Sequence, residues 1–246
     1  DQSHRQAWSI DPDTAKRMNP ANPADAGYTR AAESLERAGF PVTAHAEGEI
    51  TRRTLESVDV LVLPHCATDE WESTTEVGSP VYSPAEIQAI EDFVRGGGGL
   101  VILAETEQAK YGNSLAEIAE RFGITIRNAT VQDPGECYRD VATWVLAQST
   151  PKTVWDPWAG VRQACLYRAG ALDVGDGGDA HVVMARTSPT ASPAGAALIV
   201  DTHRTPAPKL FADNGAAGDR LASTYVKVCC PHTEQKARVF RCDVRV

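Results

Sequence analysis

Apolar positions along this chain change period several times, and each change predicts an element. Residues 23–39, "PADAGYTRAAESLERAG", place Tyr28, Ala31, Ala32, Leu35 and Ala38 at helical spacing, with Gly39 as the stop. "FPVTAH" (40–45) reads as a short edge strand, where its proline is tolerated. A short helix is predicted over 51–57. "VDVLVLP" (58–64) is then a near-continuous β-branched run, the pattern of a strand buried on both faces.

After a polar loop at 65–82, Ser83, Pro84 and Glu86 form a capping-box signature ahead of "PAEIQAIEDFVRG". In that helix Ile87, Ile90, Phe93 and Val94 share a face. Glycines 96–99 end it and lead into the strand "LVILA". They precede a strand rather than follow one, and no Walker lysine accompanies them, so they do not make a phosphate loop. "SLAEIAERFG" (114–123) predicts another helix and "ITIRNATV" the strand after it. Strand–helix alternation with short connections predicts right-handed crossovers and a parallel sheet.

Beyond Pro134 the rhythm loosens. "RDVATWVLA" is compatible with a helix, while "ACLYRAGAL", "AHVVMARTS", "AALIVDTH" and "STYVKVCC" read as strands. Residues 1–204 are expected to form one α/β domain, and 205–246 a weakly patterned C-terminal extension. The chain opens on what reads as the polar end of a strand, so a first strand would precede it.

Composition narrows the function classes. A net charge of −9 and a pI near 5.2 argue against a nucleic-acid-binding face. No apolar run is long enough for a transmembrane helix, and the first ten residues do not form a signal peptide. The six cysteines are scattered, with neither disulfide-scaffold density nor zinc-site spacing, which predicts reduced thiols and a cytoplasmic location. No metal or cofactor is expected. The expected partner is a small polar molecule, not nucleic acid or membrane, with a homodimer as the candidate assembly.

The segments "VDVLVLPHC", "YSPAEIQAIEDFVRGGGGLVILAETE" and "NSLAEIAERFGITI" resemble the class I glutamine-amidotransferase-like superfamily. The nearest branch is the non-amidotransferase one around trehalose-utilisation-type (ThuA-like) proteins. The resemblance spans Arg30 to Thr130. It implies a three-layer, flavodoxin-like, mostly parallel sheet with extra β structure toward the C-terminus. Where amidotransferases carry a nucleophilic cysteine, this chain has "AETEQ", and no His-x-Glu pair follows; His232 and Glu234 come closest. Glutaminase activity is therefore not expected.

In a doubly wound sheet, ligands bind outside the carboxyl ends of the strands. Four polar loops would converge there: "DQSHRQAW", "PHCATDEWE", "ETEQAKYGN" and "NATVQD". The candidate catalytic residues are Glu105, Cys66 and His4. The candidate ligand-binding residues are Ser3, Gln6, Trp8, His65, Trp71, Glu107, Tyr111 and Asn113. Glu105 could act as general base, oxygen ligand or structural cap. Cys66 would need a base to become a thiolate, and His4 could supply it. A site of this kind would bind a sugar-like or carboxylated ligand. Its enzymatic version is a hydrolase or isomerase using Glu105, His4 or Cys66. The contrasting reading is a catalytically silent protein-interaction domain.

Overall fold

A computed structural model describes residues 1–23, 27–68, 75–111, 115–150, 163–175, 179–204 and 223–225. Five helices are described: α1 (Pro12–Met18), α2 (Thr29–Arg37), α3 (Arg52–Leu55), α4 (Pro84–Arg95) and α5 (Leu115–Glu120). The strands are β1 (Val60–Pro64), β2 (Gly99–Leu103), β3 (Ile124–Ile126), β4 (Trp144–Ser149), β5 (Gln163–Tyr167), β6 (Leu172–Val174), β7 (Asp179–Arg186), β8 (Ala197–Arg204) and β9 (Ser223–Tyr225).

These strands make one mixed sheet in the order β1-β2-β9-β8-β7-β4-β5, with β6 pairing both β3 and β8. Only β1–β2 and β2–β9 are parallel among the described pairings. The others, β3–β6, β4–β5, β4–β7, β6–β8, β7–β8 and β8–β9, are antiparallel. The expectation of a three-layer, flavodoxin-like, mostly parallel sheet is therefore wrong. Strand–helix alternation continues through α5 to β3, but β3 pairs antiparallel with β6 and does not join β1 and β2 in a parallel ladder. Instead, β9 enters from far along the chain to lie beside β2, and the meandering strands need no helical crossover.

The local signals around α4 hold. Ser83 Oγ accepts from the Glu86 amide, and Glu86 returns a carboxylate oxygen to the Ser83 amide at 2.8 Å, closing the capping box of α4. Ile87, Ile90 and Val94 of α4 pack with Leu115 and Ile118 of α5 onto Leu61, Leu63, Leu100 and Ile102. Each such side chain contributes about 2 kcal/mol of burial. A second cluster, Val131, Val145, Ala147, Ala171, Ala185 and Leu198, lies under the antiparallel strands.

Among the other local readings, one helix is shorter than expected and two readings fail. Of the helix expected over 23–39, the described residues show Thr29–Arg37, and 40–45 is not a strand. The helix considered over 139–147 is a short 3-10 turn, Tyr138–Asp140, followed by β4. There, Val145 and Ala147 alternate inward onto the core, and tertiary packing decides the state. Among the described residues, no helix is long and apolar enough to cross a membrane.

Candidate functional site

The N-terminal segment pairs with residues 65–67 just beyond the end of β1, and Asp1 reaches back to the strand itself. The Asp1 backbone nitrogen donates to Val62 O at 2.8 Å, Ala7 N to His65 O at 3.0 Å and Ala67 N to Arg5 O at 2.9 Å. Gln6 and Cys66 face each other in an antiparallel bridge. This pairing carries Ser3, His4 and Gln6 inward onto α4 and the 75–83 loop.

The Asp1 side chain is fully enclosed and is the hub of the resulting cluster. Oδ1 accepts from the Ser3 amide and hydroxyl at 3.0 and 2.9 Å. Oδ2 accepts from Gln6 Nε2 at 2.6 Å and the Tyr82 hydroxyl at 2.9 Å. His4 Nδ1 lies 2.9 Å from Oδ2 and 3.0 Å from Ser3 Oγ. On the other side of the ring, Nε2 lies 3.0 Å from Glu86 Oε1, which also accepts from the Ile50 amide at 2.8 Å. The imidazole stacks on Tyr82 with centroids 4.1 Å apart.

Burial pushes His4 below its ordinary value, against the raising pull of Glu86. With the Ser3 hydroxyl proton on Asp1 Oδ1, a neutral ring has one N–H for two carboxylates, and donating it from Nε2 to Glu86 leaves Nδ1 facing Asp1 Oδ2 without a proton. Protonating Nδ1 turns the Asp1 contact into a second, charged hydrogen bond. Burial also works on Glu86, pushing it up, but the Ser83 and Ile50 amides and His4 outweigh that and hold it below the usual carboxylate value.

Cys66 closes the cluster as a donor, not a nucleophile. It is fully buried, its Sγ lies 3.6 Å from the Tyr82 oxygen and 3.7 Å from Pro64 O, and burial pushes its thiol up to about 12. A thiolate would need the opposite environment.

The remaining candidates lie elsewhere. His65, adjacent to Cys66, is buried, and burial followed by the Lys110 charge lowers it to about 4. Glu105 folds back so that Oε1 accepts from the Thr106 amide at 2.8 Å. Glu107 pairs with Lys110 at 3.0 Å. Thr106 bonds Ala129 O and the Thr130 hydroxyl, and the Ala109 amide bonds Asn128 Oδ1, so the loop after β2 is tied to the loop after β3. Trp8 is half-buried, and its carbonyl accepts from Gln2 Nε2 at 3.3 Å. Tyr111 ends a 3-10 turn at Gln108–Tyr111, with its side chain outside the described set. Trp71, Asn113, His232 and Glu234 lie outside the described residues.

The structure thus joins Ser3, His4, Gln6 and Cys66 and gives Glu105 and Glu107 partners of their own. Its central residues, Asp1, Tyr82 and Glu86, were not among the sequence candidates. Only Glu86 carried a signal, its place in the capping box. No group of three or more His, Cys, Asp or Glu side chains among the described residues could hold a metal ion.

No protein-family profile matches the chain, and no curated protein matches it in sequence. Among solved structures, the fold is similar to one described as the mmIFT52 N-terminal domain. The two share 14% identity with a TM-score of 0.56, over 72% of this chain and 73% of that one. This likeness concerns the fold alone. With the mixed sheet, it overturns the resemblance to class I glutamine-amidotransferase-like and ThuA-like proteins, and the flavodoxin-like class with it.

Proposed function

We propose that this chain is a non-catalytic domain that serves protein–protein interaction. One observation carries the reading: the polar side chains that the N-terminal segment, Tyr82 and Glu86 bring together are buried and hydrogen-bonded to one another. Asp1, Ser3, His4, Gln6, Tyr82 and Glu86 saturate each other, the Cys66 thiol is pushed far from reactivity, and Glu105 caps its own neighbour. A ligand site needs convergent polar groups aimed into a cavity. A saturated buried network instead rigidifies a scaffold. Fold likeness assigns no function, so the reading rests on these contacts.

Two measurements test it. Thermal-shift screening against sugars, dicarboxylates and divalent metals is expected to give no shift that depends on His4 or Glu105. A shift abolished by His4→Gln or Glu105→Gln would overturn the reading in favour of a small-ligand site. Chemical cross-linking in a native extract, read by mass spectrometry, is expected to join the chain to discrete partner proteins.

A further inference from the structure

We draw no further inference here: the strongest candidate, the outward face of β4 and β5 with its aromatic row of Tyr138, Trp144 and Tyr167, carries nothing, because nothing in the structure shows what covers it.

Discussion

His4 Nε2 sits 3.0 Å from Glu86 Oε1, tying the N-terminal segment to the first turn of α4. Glu86 does three jobs with one carboxylate: it caps the helix through Ser83 N, holds Ile50 N and receives His4. Replacing it with alanine strands two amides and a buried imidazole. Glu86→Ala is expected to destabilise the fold by about 3 kcal/mol. Urea unfolding measures this, and a loss indistinguishable from that of an ordinary exposed cap would contradict the shared role.

Acid is expected to weaken the fold in two stages of the same sign. Stability rises with pH wherever the unfolded chain binds more protons. Burial holds His65 at about 4 in the fold, whereas an unfolded histidine takes its proton near 6.5. Its contribution is therefore whole above about pH 6.5 and falls away toward pH 4, by on the order of 3 kcal/mol. His4 is lowered in the same direction. Glu86, also depressed, keeps its contribution above the ordinary carboxylate value and loses it as pH falls through the lower folded value. Melting temperature against pH should decline steadily below about 6.5. His65→Gln is expected to flatten the upper stage and Glu86→Gln the lower. A stability maximum near pH 5 would reverse the sign and refute the assignment.

Gly78 is required by contact as much as by conformation. Its φ is +68°, and a Cβ there would stand 1.9 Å from Ser3 O, while its own carbonyl accepts from Arg5 Nε at 3.0 Å. Gly78→Ala is expected to cost about 3 kcal/mol or more, because the Asp1–Ser3–His4 cluster must move. Gly39 serves as the control: φ is +91° but nothing lies within 4 Å, so Gly39→Ala carries only the conformational penalty of about 1–2 kcal/mol. Equal losses at the two positions would show that the contact with Ser3 is unimportant.

These residues also mark where the sequence could and could not be read. "VDVLVLP", the Ser83–Glu86 box and the glycine-led "LVIL" are local patterns, and their elements formed as expected. Strand direction beyond β2 is not local, because β9 pairs with β2 across more than a hundred residues, Gly99 opposite Ser223. The candidate cluster divides in the same way. His4 and Cys66 drew notice for their chemistry, and Glu86 for its cap. The bond from Tyr82 to Asp1, 81 residues away, has no periodicity or spacing to announce it. Counting reactive residue types located the cluster without revealing that its members bond each other.

Cys66 provides the sharpest check on that last point. Its thiol is fully buried, pushed up to about 12 by burial, and within 3.6 Å of a Tyr82 oxygen that in turn donates to Asp1. Alkylation requires both thiolate and access. At about pH 8, iodoacetamide is expected to modify half-buried Cys137 and Cys165 first, and Cys66 only as fast as the chain opens. Mass spectrometry of the labelled peptides separates the sites, and adding urea should bring Cys66 to the rate of the others. Cys66→Ala should cost about 1–2 kcal/mol for the lost packing and leave the Tyr82–Asp1 bond in place. Native-state labelling of Cys66 ahead of Cys165 would mean that its thiol is activated and accessible. The saturated cluster would then have to be reconsidered as a reactive one.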